Sequence, residues 1–208
     1  MPCGINPFYL RLESITMLET ERLSLRQWRD EDYPDYAQLN ADPLVMRYFP
    51  SVLSAKESYE QADKLRSLIA KRGWGLWAVE LKATGEFIGV TGLHAHDDDS
   101  GLPLAPLTEI AWRILPSHWG RGYAPEAAQC ALQFAFEQLD LEVVYSFTAL
   151  VNIPSQQVMI KAGMENTGEE FDHPKLESGH DLERHCLYRL TKERWLTSGR
   201  SSLSPFAT

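Results

Sequence analysis

One stretch of this chain, residues 107–149, limits its folding more than any other. Residues 107–115 read as a β-rich strand, 124–139 as a helix rich in apolar residues, and 143–149 as a second strand. A strand, helix, strand unit of this length makes the two strands parallel, with a right-handed crossover. It also leaves the helix N-terminus at the carboxyl end of the first strand, where open α/β sheets bind ligands. The connection is Pro116-Ser117-His118-Trp119-Gly120-Arg121-Gly122-Tyr123-Ala124-Pro125. Its glycines let backbone amides approach an anion closely, and the helix start adds unpaired N–H groups. Arg121 can add positive charge. Two glycines before a helix commonly serve only as a tight connection, so the loop alone leaves both readings open. The loop lacks the Lys-Ser/Thr of a nucleotide P-loop and the third glycine of a dinucleotide fingerprint.

The remaining elements follow from periodicity. Residues 22–27 alternate, placing Leu23 and Leu25 on one strand face. Asp30 precedes Tyr33, Tyr36, Ala37 and Leu39 at helical spacing, and Ser54 with Glu57 forms a capping box for a second helix. Residues 77–81 and 87–93 read as an antiparallel hairpin around Ala83-Thr84-Gly85-Glu86, with residues 96–106 as a long loop. A short helix over 154–161 ends at Gly163, and residues 164–169 and 182–190 form a last strand pair joined by an acidic, His-containing loop. We expect one domain over residues 17–196, an N-terminal extension at 1–16 and a disordered Ser-rich tail at 197–208, with Met17 as an alternative start.

A formal net charge of -9 argues against a nucleic-acid partner, which clustered Lys and Arg would hold. It fits an amine substrate, and equally a solvated acidic surface. No apolar run approaches the about 18 residues of a membrane span, and residues 1–14 lack a secretion signal, so we expect a cytoplasmic protein with no membrane partner. Cys3, Cys130 and Cys186 are too widely spaced for a metal knuckle and read as idle thiols. His94 and His96 beside Asp97-Asp98-Asp99 invite a metal reading, but a solvated loop explains them better, so no metal is expected.

Three motifs, in order, resemble the GNAT acetyltransferases, and the RimJ/RimL-like branch in particular. They are the opening Leu-Glu-Thr-Glu-Arg-Leu at 18–23; Glu109-Ile110-Ala111-Trp112 with the loop His118 to Ala127; and Asn152-Ile153-Pro154-Ser155 with Lys161-Ala162-Gly163-Met164. The resemblance covers about residues 17–195. It implies an α/β (α+β) GNAT fold, with a mixed, mostly antiparallel sheet of about six to seven strands, about four helices and a splayed parallel pair. It implies acetyl-CoA as cofactor, with Trp119, Gly120, Arg121, Gly122, Tyr123 and Ala124 on the pyrophosphate and the backbone of Ile114 and Leu115 on the pantetheine arm. Trp119 departs from the commoner Gln or Arg, and Met164 from Phe.

By the same resemblance Glu109 acts as general base, commonly through water; its bland alternative is a solvent-facing strand carboxylate. Ser155 approaches the cofactor sulfur on a helix capped by Asn152, and the tyrosine acid of many relatives is replaced by Met159. The region Tyr48-Phe49-Pro50 would border the acceptor groove, while Trp74, Trp77 and Trp112 more naturally fill the sheet. The implied activity is N-acetylation of a small amine or a protein N-terminus in a ternary complex, by a monomer or homodimer. An inactive acyl-CoA-binding sensor is the second reading.

Overall fold

A computed structural model describes residues 17–198, so the expected extension at 1–16 and all of the expected tail past Ser198 lie outside the described residues. The chain begins with β1 (Leu18–Glu19) and β2 (Leu23–Arg26), then α1 (Asp32–Ala41), α2 (Pro43–Met46) and α3 (Ala55–Arg72). The hairpin is β3 (Leu76–Leu81) and β4 (Phe87–His96); β5 (Leu107–Ile114), α4 (Tyr123–Glu137) and β6 (Val143–Ala149) make the crossover unit. The chain then forms α5 (Ile153–Ala162), β7 (Glu165–Asp172), β8 (Arg184–Thr191) and α6 (Lys192–Thr197). Thr197 therefore closes a helix and does not open a tail.

The strands form one sheet in the order β1-β2-β3-β4-β5-β6-β8-β7. Every neighbouring pair is antiparallel except β5 and β6. This is the expected α/β sheet with its parallel pair. Among the described residues it has eight strands and six helices, because the two-residue β1 and the short α2 and α6 carry too little pattern to read in advance.

Alternation places helices on both faces. Trp77, fully buried, packs edge-on against Phe134 of α4, with ring centroids 5.6 Å apart. Arg113 lies on the other face and reaches Asn40 of α1. The fit of α4 behind the sheet follows from its composition: small Ala127, Ala128, Ala131 and Ala135 bring the helix close, and Leu132, Phe134 and Phe136 fill the space. Helix α3 starts on the Ser54–Glu57 capping box and ends at Gly73 in the left-handed conformation.

One expectation is overturned. The loop reading of His94 and His96 fails because β4 runs on through both, with His94 in register with Glu109 and His96 with Leu107. The alternation Gly92, Leu93, His94, Ala95, His96 continues the strand, and a hydrogen bond between His96 and Glu109 secures its end.

At the start of α1 a buried ion cluster joins this helix to the sheet. Arg26 donates to both carboxylate oxygens of Asp32 at 2.8 Å and to Glu80 at 2.7 Å. Arg26→Met should leave the Asp32 carboxylate buried without its cation, with Glu80 keeping only the exposed Arg29, and lower unfolding free energy by about 3–5 kcal/mol, measured by denaturant titration. A loss below about 1 kcal/mol would show that solvent, not Arg26, satisfies them.

Candidate active site

The site forms where β5 and β6 part. Their pairing is a single register, Glu109 with Tyr145. Above it the Ser146 hydroxyl donates to the Ile110 carbonyl at 3.0 Å, closing the bottom of the gap. No strand pairing joins the two beyond that point. The strands diverge into a V that opens toward their carboxyl ends.

Backbone direction along β5 decides which groups line the V. Leu115 donates its N–H to the Ile88 carbonyl at 2.9 Å, on the β4 side. The carbonyl of Ala111 turns the same way, toward Thr91. Residues 110, 112 and 114 therefore turn their peptide groups toward the V. The expectation for Ile114 and Leu115 is thus corrected. Ile114 faces the V, but its carbonyl accepts the Trp119 indole N–H at 2.6 Å, while the Leu115 amide is committed to β4 and leaves the cleft. Trp112, which sequence reasoning assigned to packing alone, presents its peptide groups to the V. The signal that could have found it is simple alternation from Ile114.

At the open end the expected loop comes together. Gly120 and Gly122 both adopt left-handed backbone, at φ 74° and 80°. Gly122 is the N-cap of α4. The amides of residues 120–124 have no acceptor among the described residues, Tyr123 and Ala124 because they lie in the first helical turn. The result is an anion cradle at the positive end of a 15-residue helix. Arg121 is exposed beside it.

Sequence reasoning missed the brace of this cradle. Arg22 donates from Nε to Glu126 at 2.7 Å and from Nη1 to the Arg121 carbonyl at 3.0 Å, and its Nη2 also meets Glu126. Thr20 donates its hydroxyl to Glu126 at 2.5 Å, and the Arg22 guanidinium covers the Tyr123 ring at 4.6 Å. The opening Thr-Glu-Arg-Leu thus holds the loop and the first turn of α4 in place.

At the closed end Glu109 is no solvent-facing carboxylate. Its side chain is 15% exposed and sits 2.7 Å from His96 Nε2, itself 14% exposed. Burial pushes the Glu109 carboxyl above the ordinary carboxylate range, against the opposing pull of His96 and Lys175. Around the pair lies a wall of rings. Phe147 has its centroid 5.9 Å from His96, 5.7 Å from Phe171 and 5.9 Å from His173, and His173 lies 4.8 Å from His185. Burial holds His94 and His173 down to about 4, and lowers His185, so near neutrality these rings carry no charge. On the other flank of the same face Arg113 lies 4.3 Å from the Phe49 ring, placing the expected Tyr48-Phe49-Pro50 border opposite the ring wall.

Asn152 caps α5, accepting from the Ser155 amide at 3.2 Å and donating to Thr148 at 2.8 Å. The Ser155 hydroxyl has no partner among the described residues. Because β6 is parallel to β5, α5 starts at the open end of the V, as α4 does. A rise of about 3.3 Å per residue sets Glu109 about 16 Å below Ile114. The structure therefore places Ser155 toward the open end and Glu109 at the closed end. Met159, one turn deeper than Ser155, is buried and has no proton to give. Cys130 and Cys186 are buried free thiols, with Cys130 pushed up to about 12 by burial, and neither serves as a nucleophile.

The acetyltransferase (GNAT) domain model matches residues 22–165. The Bacillus subtilis (strain 168) protein named uncharacterized N-acetyltransferase YoaA is 31% identical over 157 residues, covering 73% of this chain and 84% of that one. Among solved structures, an acetyltransferase (GNAT family) from Bacillus anthracis has a TM-score of 0.72 at 24% identity, covering 86% of this chain and 99% of that one. Mycobacterium smegmatis RimJ in complex with CoA-disulfide has a TM-score of 0.63 at 19% identity, covering 89% and 94%. These two structures share the fold.

The neutral histidines predict how stability depends on pH. His94 and His173 titrate near 4 when folded and near 6.5 when unfolded. As pH falls through 6.5 only the unfolded chain gains those protons, so their contribution is intact above 6.5 and is lost between there and about 4. The melting temperature should drop across that window, and His94→Gln should shallow the drop; an unchanged slope would contradict it.

Proposed function

The chain belongs to the acetyltransferase (GNAT) family and is an N-acetyltransferase, and from that premise we propose that it moves the acetyl group of acetyl-CoA to a primary amine by direct attack, with both substrates bound together. Acetyl-CoA supplies a thioester carbonyl; the amine nitrogen bonds to its carbon, and the C–S bond breaks to release CoA thiol. The observation that carries this reading is the V itself, with an amide cradle for phosphates at one end and a nearly enclosed carboxyl group at the other.

Gly120, Gly122, Tyr123 and Ala124 bind the pyrophosphate through their amides, with Arg121 adding charge. Trp112 and the Ile114 amide hydrogen-bond the arm, and Trp119 covers its entry. Glu109 removes the proton from the attacking ammonium, directly or through water, and burial, which holds its carboxyl above the ordinary carboxylate range, raises its affinity for that proton. Ser155, with a free hydroxyl at a capped helix start, solvates the departing thiolate from the open side.

The acceptor lies on the face shared by Glu109, Arg113 and the ring wall, as a small amine or a protein N-terminus. A RimJ/RimL-like placement is supported by the opening motif at 18–23, since its Thr20 and Arg22 brace the cofactor loop. The second reading, a sensor that binds acyl-CoA without turnover, is disfavoured by Glu109: a buried acid at the end of the V has no use in binding alone.

Release of CoA thiol on incubation with acetyl-CoA and a panel of amines and free-N-terminus peptides tests the activity; CoA binding without release under every condition would establish the sensor. Glu109→Gln should cut kcat/KM about 100-fold or more near neutral pH, with the deficit shrinking as pH approaches the pKa of the amine, where the acceptor deprotonates itself. Identical pH-rate curves would remove Glu109 from the chemistry. Gly122→Asp adds a negative charge and a side chain at left-handed backbone, with its Cβ 3.5 Å from Arg22. It should weaken CoA affinity at least tenfold by calorimetry, and unchanged affinity would dislodge the cradle from its role.

A further inference from the structure

We infer that His96 carries away the proton that Glu109 collects, and that a hollow on the far side of His96 is its exit to solvent. The inference rests on Glu109 acting as base. His96 Nε2 lies 2.7 Å from Glu109 Oε2, and both side chains are nearly enclosed. Below them, where β4 ends and β5 and β6 begin, is a hollow of about 330 Å³ bordered by His96, Asp97, Thr108, Glu142 and Tyr145. Glu109 does not border it. His96 stands between the carboxylate and the hollow, and touches both.

The V makes such an exit necessary. Its bottom is closed by the Glu109–Tyr145 pairing and by the Ser146 bond to Ile110. With cofactor and acceptor in place, both open approaches to Glu109 are filled by the reactants, so a proton taken by the carboxylate has no path back to bulk water through them. The step balances without redox change. The acceptor ammonium gives one proton to the Glu109 carboxylate. The resulting acid passes it to His96 Nε2, and the imidazolium releases its Nδ1 proton to water in the hollow. Exchange with water in the hollow, which takes the Nε2 proton and returns one to Nδ1, restores the starting tautomer with no net proton gained or lost.

The charged and titratable groups around the pair support this direction. His94, in register with Glu109 on β4, stays neutral and does not compete for the proton. His173, beyond Phe147, is neutral for the same reason. Lys175, from the segment joining β7 to β8, adds positive charge near Glu109 and His94, and Arg72, at the end of α3, adds it near His94. Asp97 and Glu142 place carboxylates on the hollow side, and Tyr145 faces it from β6. Carboxylates at the hollow favour movement of a proton toward it.

The test compares His96→Gln and His96→Ala with wild type. Each should lower kcat at least tenfold near neutral pH, leave the KM for acetyl-CoA unchanged, and displace the acid limb of the pH-rate profile. Added imidazole, small enough to enter the hollow, should restore His96→Ala activity in a concentration-dependent way; a purely structural His96 would show no rescue. Thr108→Leu narrows the hollow while leaving Glu109 and His96 in place, and should lower kcat with the same pH signature. Wild-type rates and profiles in all three variants, or loss in the His96 variants with no imidazole rescue and no effect of Thr108→Leu, would overturn the relay. Should Glu109→Gln itself be silent, the base assignment fails, and the relay falls with it for a different reason.

Discussion

Everything at the centre of this molecule depends on β5 and β6 meeting at one register and then parting. Had the parallel pair continued, the peptide groups of Ile110, Trp112 and Ile114 would be spent on β6, and no arm could be held along β5. Ser146, only 2% exposed, fixes the point of divergence with a hydroxyl where an apolar side chain would leave the Ile110 carbonyl unpaired. The geometry of the V therefore comes from a few hydrogen bonds made, and several deliberately unmade, along a strand edge in the middle of the sheet.

The two ends of the V are governed by opposite electrostatics. At the open end the protein exposes amides and a helix terminus, then steadies them with the Arg22, Thr20 and Glu126 cluster, so that positive potential faces outward. At the closed end it withdraws charge: imidazoles lose their protons to burial, and a carboxyl is pushed upward by the same cause. One end suits an anion, the other a group that exchanges a proton. A single environment could not serve both.

Much of this was legible in the sequence. The crossover unit, the hairpin, the capping box of α3 and the terminator Gly163 are local signals, written in periodicity and turn chemistry, and they lie where those signals put them. The glycine loop was legible as an anion site only beside its flanking motifs. What escaped reading was non-local. Arg22 and Glu126 are separately ordinary charged residues; their meaning arises because β1, β2 and the start of α4 converge at one edge of the sheet. His96 looked like part of a polar loop because the acidic run after it masks the last steps of strand alternation. The enclosure of Glu109 and the commitment of the Leu115 amide depend on which neighbour a strand finds, which no window of residues records.

The clasp between Arg22 and Glu126 spans 104 residues of chain. Closing so long a loop costs chain entropy, which the clasp offsets only when both of its ends are in place. The loop at the start of α4 is thereby held by a part of the chain far from it in sequence. A ligand bound across that clasp would stabilise a closure between distant parts of the chain, and tie retention of the N-terminal hairpin to the supply of the molecule on which the enzyme acts.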